Sequence, residues 1–243
     1  MMKVDSPFRK GGRGDFLSGL SYKIRKRIFT CSLALFLSCA GCAGIPFQTT
    51  ARVPVESVHP EKARELFIRS LPSEFQMVNS VVFKYGWKTF SAIGYTKIDA
   101  DEKKFTLMGL TPIGIKLFEL SGTPKGTECG FAIKAFTRQG NFADRIADDI
   151  RRIYFDRIPS PEAKVCKKKY EIVFRDPGET EYIFAGADNV LIEKRRYEGI
   201  RRIWSVFYYE YQRKNGKLHP GGIIFRHYQH GYQLIIRLKE IRP

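Results

Sequence analysis

The chain has 243 residues, of which 14% are aromatic and 28% charged, and a formal net charge of +17. That length accommodates one large domain or two small ones, and the aromatic content is enough to build a sizeable β-rich core. The charge points to anionic partners such as lipid headgroups, nucleic acid or acidic proteins. Eight Lys/Arg and two acids fall in residues 1–41, which leaves +11 for the remainder.

The N-terminus reads as an export signal. Lys23-Ile24-Arg25-Lys26-Arg27 is a basic n-region, and Ile28 to Ser38 is an apolar run too short to span a bilayer. Residues 1–20 precede it with glycine and charge that cannot bury a core. Leu37-Ser38-Cys39-Ala40-Gly41-Cys42 then resembles the lipobox of bacterial lipoproteins, in which the cysteine becomes the acylated first residue. Cys42 is the expected lipidation site, with Cys39 as the alternative. Ala43 in the next position resembles the outer-membrane sorting pattern. The expected organisation is an extension and signal peptide over 1–41, an acylated anchor and tether over 42–58, and a single domain over 59–243. The tether reading rests on Pro46, Pro54 and their polar spacers.

Pro60 suits a first helical position, and Ala63, Leu66, Phe67 and Ser70 follow at three-four spacing before Pro72 closes the segment. Strand patterns come next. Val81, Phe83 and Tyr85 lead to Gly86-Trp87, followed by strands over Phe90 to Ile98, Phe105 to Leu110, Ile115 to Leu120 and Phe131 to Phe136. Short turns between them describe an antiparallel meander. Asn141 opens a second helix, with Phe142, Ile146, Ile150, Ile153 and Tyr154 on one stripe. Strands resume over Tyr170 to Phe174, Tyr182 to Ala185, Val190 to Tyr197, Ile203 to Tyr211, Ile223 to Tyr228 and Gln233 to Leu238, with an Asn215-Gly216 hairpin signal. A single curved sheet or partly closed barrel accommodates this order.

One stretch stands apart. Leu110-Thr111-Pro112-Ile113-Gly114 breaks two apolar runs with a turn, since Pro112 donates no ladder bond and Gly114 permits positive φ. A β-branched apolar residue at its tip either folds back into the core or points outward to something apolar. The residues alone favour the first.

The element order, this Pro-apolar-Gly turn, and the cluster Trp204-Ser205-Val206-Phe207-Tyr208 with Tyr211, an Asn-Gly turn and Pro220 resemble the lipoprotein-localisation receptor family LolB over residues 59–241. A set of uncharacterised lipoproteins sharing that fold is similar as well. The resemblance implies a mainly β, α+β fold: an open antiparallel half-barrel with helices covering its concave face. It implies an outer-membrane lipoprotein facing the periplasm. Its apolar cavity would receive the acyl chains of lipoproteins from a soluble periplasmic carrier, and Pro112, Ile113 and Gly114 would contact the membrane. On that reading Ile113 points outward. The expected partners are outer-membrane lipid and acylated lipoproteins, the expected state is a monomer, and no cofactor is expected beyond the covalent acyl anchor.

No enzyme motif is visible, and Asp148 and Asp149 do not face each other as an acid–base pair would. His227 and His230, three apart, do not naturally share a strand face, so a metal site is not expected. Cys129 and Cys166 either form a disulfide, which the periplasm allows, or are separately buried thiols. The basic runs Lys167-Lys168-Lys169, Lys194-Arg195-Arg196 and Arg201-Arg202 fit anionic lipid or lipopolysaccharide better than nucleic acid in an exported chain. An envelope scaffold that binds another protein through its sheet is the alternative function.

Overall fold

A computed structural model describes residues 44–138 and 140–242. Cys39 and Cys42 lie outside the described residues. The first described helix, α1 (Pro60–Ser70), begins with its proline at N1, carries Glu61 in its first turn, and buries Ala63, Phe67 and Ser70 along one stripe. It stops because Leu71, which precedes Pro72, is extended at φ −74° and ψ 141°.

Among the described residues, twelve strands form one sheet. The first five are β1 (Glu74–Tyr85), β2 (Lys88–Asp99), β3 (Lys104–Leu110), β4 (Lys116–Thr123) and β5 (Gly126–Ala132). The other seven are β6 (Lys164–Lys167), β7 (Ile172–Arg175), β8 (Thr180–Ala185), β9 (Val190–Glu198), β10 (Arg201–Lys214), β11 (Lys217–His227) and β12 (Tyr232–Arg242). The order is β5-β4-β3-β2-β1-β12-β11-β10-β9-β8-β7-β6, so the two meanders are joined where the first strand meets the last. That junction runs antiparallel from Gln76↔Arg242 to Tyr85↔Tyr232. The sheet is open, with β5 and β6 as its edges.

Bulges at Val78/Asn79, Gly109/Leu110, Glu119/Leu120, Ile183/Phe184 and Arg202/Trp204 add local twist and bend the sheet. Glycine allows the tightest curvature. Phe118 pairs with Gly109 and Phe105 with Gly122, and each ring lies where a Cβ would sit, at 2.4 Å and 2.0 Å respectively. Any side chain at either glycine would push the ring off the neighbouring strand.

Across the inner face lie α2 (Lys134–Thr137), α3 (Phe142–Ile150) and a π-helical turn, Arg151–Phe155. Ala147, Ile150, Ile153 and Tyr154 are buried against the sheet, as the helical stripe predicts. Two sequence expectations fail here. Phe131 to Phe136 is not a strand, because β4 and β5 form a tight hairpin in which Thr123 faces Gly126. β5 therefore starts earlier, and Phe136 belongs to α2. The short edge strand β6 was not legible, since its residues are exposed throughout and show no alternation.

The expected tether is bound to the domain from Phe47 onward. Phe47 to residue 243 forms one compact unit. The Phe47 ring stacks on Tyr209 at 5.4 Å on the outer face, and the Arg237 guanidinium covers it at 4.6 Å. Gln48 N–H donates to Glu210 Oε1 at 2.9 Å. Val55 is 1% exposed, and its N–H donates to Lys169 O at 3.0 Å. Two apolar pegs hold this strap, and pegs at irregular spacing leave no periodicity to read.

Candidate functional site

The inner face is largely apolar between the exposed edge strands, and its two halves are closed differently. Over β7 to β11, Phe174, Phe184, Tyr208 and Phe225 are fully buried. So is Lys194, which sequence reading had placed in a basic surface patch. It stands on the inner face of β9 opposite Val206, and its Nζ donates to the carbonyls of Arg152 and Asp156. Tyr208 Oη donates to the Ile153 carbonyl at 2.8 Å. The carbonyls that the π-turn leaves without helical partners are thus met by side chains from the sheet, which is why polar groups are tolerated there. Burial pushes the Lys194 ammonium down to about 7, against the pull of Asp156.

Near the centre, Phe75, Met77, Tyr154, Arg157 and His219 enclose a gap of about 10 Å³. That is room for about one water and not for an acyl chain. The emptyable cavity expected from the family resemblance is therefore closed in this structure. Arg157, 2% exposed, donates through Nε to the Tyr154 carbonyl at 3.0 Å. Burial, then Arg157 and Lys214, pushes the His219 imidazole down to about 4.

Over β1 to β4 the closure is complete at Ile98, Phe105 and Leu120, and aromatic and incomplete toward the β3–β4 turn. Phe118 of β4, Phe136 of α2 and Phe142 of α3 are half-buried, with ring centroids 4.7 to 5.6 Å apart. Phe90 of β2 joins them at 6.3 Å from Phe136 and is 40% exposed. A polar latch ties α3 to β12: Tyr232 Oη donates to Asp149 Oδ2 at 2.6 Å, and Arg152 bonds Asp149 Oδ1 at 3.1 Å. Burial lifts the Asp149 carboxyl to about 6, against Tyr232 and Arg152. The His227 and His230 rings pack at 4.3 Å and His227 on Tyr232 at 5.2 Å, so the chain reversal brings together two side chains expected to lie apart. Burial, with His230 and Arg152 nearby, lowers the His227 imidazole to about 4. Among the described residues no three His, Cys, Asp or Glu side chains converge as a metal site.

Just beyond Phe118 the β3–β4 turn projects outward. Thr111 N–H donates to Ile115 O at 2.8 Å, Gly114 N–H to Thr111 O at 2.9 Å, and Ile115 N–H to Thr111 Oγ1 at 3.0 Å. Gly114 takes φ +86°. The turn is held by its own bonds, and Ile113 stands 83% exposed at its tip with Ile115 at 58%. Ile113 does not fold back into the core.

The cysteine expectations are corrected. Cys129 and Cys166 are free and exposed, so they are neither paired nor buried. They sit on β5 and β6, the opposite edges of the sheet, which sequence spacing could not reveal. The basic runs are also diluted. Lys194 is buried, Lys167 Nζ donates to the Glu56 carbonyl, and Arg195 lies 3.3 Å from Glu181 and 3.6 Å from Glu193. The buried roles of Lys194 and Asp149 were missed because a charged residue carries no sign of its burial. Alternation could not reveal it either, because the bulge in β9 puts Leu191 rather than Ile192 on the inner face with Lys194.

No protein-family model matches the chain, and no curated protein matches it. Similarity is found among solved structures. A LolA superfamily protein from Nitrosomonas europaea superposes with a TM-score of 0.50 at 13% identity, covering 78% of this chain and 93% of that one. A Vibrio parahaemolyticus domain assigned as an outer membrane lipoprotein-sorting protein gives 0.44 at 12% identity, covering 75% and 90%. A DUF1329 family protein from Desulfovibrio piger gives 0.43 at 9% identity, covering 75% and 92%. At such identities the likeness is one of fold: the chain has the LolA-like open half-barrel.

Proposed function

We propose that this protein is a non-catalytic, lipid-anchored envelope protein that takes up acyl chains between the first half of its inner sheet face and the α2–α3 cover. In this role it helps to place acylated lipoproteins in the outer membrane, as a LolB-type receptor would. Cys42, or else Cys39, carries the anchor, and Ile113 is the residue that touches the bilayer. The observation that carries the reading is the aromatic mouth. Phe90, Phe118, Phe136 and Phe142 close a continuous apolar face without a single directional bond among them. An acyl chain that displaces them exchanges one set of dispersion contacts for another and gains about 0.8 kcal/mol per methylene removed from water. The space needed exists only when it is occupied. The LolA-like fold supports this reading, and so does an Ile113 tip held out by its own turn bonds.

The test is a titration of residues 47–243, the compact unit, with an environment-sensitive apolar dye, followed by displacement with a fatty acid or an acylated lipoprotein. Saturable binding that acyl chains compete away is expected. Its absence favours the second reading, a protein-binding scaffold. That reading has its own support in an open outer-face groove of about 280 Å³ lined by Gln76, Tyr95, Lys97, Thr106, Met108 and Arg242.

A further inference from the structure

In an antiparallel meander every second turn falls at the same end of the sheet. The β1–β2, β3–β4, β7–β8, β9–β10 and β11–β12 turns of this chain therefore share one end. Two of them are built alike. Gly86 at φ +56° and Gly199 at φ +59° each fill the first central position of a two-residue hairpin, closed by the pairs Tyr85↔Lys88 and Glu198↔Arg201. In both, the second central residue is large and apolar and the next is a base: Gly86-Trp87-Lys88 and Gly199-Ile200-Arg201. The glycine holds the tip in a conformation that leaves the side chain clear of the sheet. Trp87 is 90% exposed and Ile200 fully exposed. Ile113 and Ile115 on the β3–β4 turn and Tyr228 on the β11–β12 turn are exposed as well.

The opposite end differs in kind. Its turns run through Ala100-Asp101-Glu102-Lys103, Pro124-Lys125, Lys168-Lys169-Tyr170-Glu171, Ala187-Asp188-Asn189 and Asn215-Gly216, where Tyr170 is half-buried and no other tip carries a large apolar side chain. Both ends carry bases, Lys103, Lys125, Lys168 and Lys169 among those of the opposite end, so the exposed apolar tips are what set the first end apart. Residues 84–89, 111–116 and 228–233 contain no Asp or Glu, and they bring Lys84, Lys88 and Lys116 to the apolar end. Lys88 Nζ lies over the Trp87 ring at 5.6 Å. Lys116 pairs with Glu119 at 2.7 Å and Arg201 with Glu198 at 3.4 Å. The acids of this end are Glu119 and Glu198, paired as above, and Asp176 and Glu179 at the β7–β8 turn toward the β6 edge.

We infer that this end of the sheet is a docking rim for a bilayer surface bearing anionic headgroups, with Trp87 as its main insert and Ile113 and Ile200 as flanking contacts. The rim rests on the proposed function for the role of Ile113 alone, and it needs no acyl chain inside the half-barrel. Amphipathic tryptophan belongs at the boundary between headgroups and acyl chains, and basic residues beside it add attraction to an anionic surface. Contacts on three separate hairpins fix orientation, which a single acylated N-terminus cannot do. The rim would hold the aromatic mouth, between the β1–β2 and β3–β4 tips, against the membrane.

The molecule carries its own reporter. Trp87 is exposed and Trp204 is 9% exposed in the core, so Trp87 alone can meet lipid. The full chain would be bound to vesicles of phosphatidylglycerol with brominated acyl chains, and to phosphatidylcholine vesicles of the same bromination. Tryptophan emission would be read on the vesicle-bound fraction. With phosphatidylglycerol, a blue shift and quenching of about half the Trp87 signal are expected, both removed by Trp87→Phe. Ile200→Glu and Lys84→Glu/Lys88→Glu should each weaken the quenching several-fold, with near-ultraviolet circular dichroism unchanged. An unquenched Trp87 on vesicle-bound protein overturns the rim, and so does equal quenching by phosphatidylcholine, which would leave the bases no part. Dye displacement without vesicles is the separate control. If acyl chains compete for the dye while Trp87 stays in water, the rim alone fails. If Trp87 is quenched but no dye binds, the rim stands and the acyl-binding reading fails.

Discussion

On the inner face of β7 to β11, Phe174, Phe184, Tyr208 and Lys194 fill the space above the sheet and are each under 2% exposed. Across β1 to β4, Ile98, Phe105 and Leu120 are buried too, but the end toward the β3–β4 turn holds Phe83 and Phe118, both half-buried, and the glycines Gly94 and Gly109. Both halves are apolar and both are covered by the same run of helix. They differ in what fastens the cover. In the second half the sheet reaches up with hydrogen bonds, from Lys194 to the Arg152 and Asp156 carbonyls and from Tyr208 to Ile153. In the first half the bonds reach only toward the sheet edge, from Arg151 to the Thr123 carbonyl and Thr127 Oγ1 and from the Ile133 N–H to the Leu117 carbonyl. Phe118, Phe136 and Phe142 meet through ring contacts, and the Asp149–Tyr232 latch ties α3 to β12. Directional bonds between buried groups are costly to break, whereas aromatic contacts can be exchanged for any other apolar partner. On the proposed function, the second half serves as the fixed wall and the aromatic mouth of the first as the face that opens.

Mutations sharpen this contrast in order of size. Lys194→Ala would strand two buried carbonyls and leave a cavity, and the urea midpoint should show a loss of about 3 kcal/mol or more. Its pH signature has a definite sign. The folded amine titrates near 7 instead of 10.5, so the fold disfavours the charged form, and stability rises as pH climbs from 7 toward 10.5. Lys194→Ala should flatten that rise. Tyr208→Phe, which removes only the bond to Ile153, should cost about 1 to 2 kcal/mol in the same assay.

The latch comes next. Tyr232→Phe should cost about 1 kcal/mol and speed amide exchange over Phe142–Ile150 while leaving β8 to β11 protected. Asp149 is lifted to about 6 from a usual 3.8, so its carboxylate lowers stability progressively as pH rises through that window. His219 and His227, near 4 in the fold against 6.5, act oppositely, and the stability they allow is lost as pH falls from 6.5 to 4. Asp149→Asn removes the first effect and keeps the second. The variant's stability should therefore fall more steeply with acid than the parent's between pH 7 and pH 4. A parallel decline would break the assignment.

The smallest effect belongs to the mouth. Phe136 is half-buried, so Phe136→Ala should cost about 1 kcal/mol or less. If the first half is the one that opens, the same change should strengthen binding of an apolar dye, whereas Tyr208→Phe should not alter it. Equal effects of the two variants on dye binding would erase the distinction between the halves.

Much of the fold was readable in advance. β10 and β11, buried on both faces, declare themselves by continuous apolar and aromatic runs. The alternation of β3, the Leu234-Ile236-Leu238 run of β12 and the stripe of Phe142, Ile146, Ile150 and Ile153 declare their elements because burial of one face imposes the pattern locally. The Thr111-Pro112-Ile113-Gly114 turn was visible for the same reason, since proline and glycine restrict the backbone wherever they stand. The direction of Ile113 was not. The residues alone favoured the core, and the outward reading came from family resemblance. Phe131 to Phe136 was misread because a hairpin's register depends on which residues close its turn, and Thr123 and Gly126 closed it earlier than the apolar run suggested.

The sequence by itself determined a two-meander antiparallel protein with a helix laid between the meanders, because those features follow from backbone restriction and from alternation within a few residues. Tertiary structure alone decided that the first and last strands meet, that Cys129 and Cys166 lie at opposite edges, that Lys194 is buried beneath a π-turn, and that Phe47 pins the presumed tether to the outer face. It also decided that Trp87, Ile113 and Ile200 share one end of the sheet. Each of these is a contact or a placement between residues far apart in the chain. What sets them is the packing of a sheet that must curve over its own cover, and no local pattern encodes that packing.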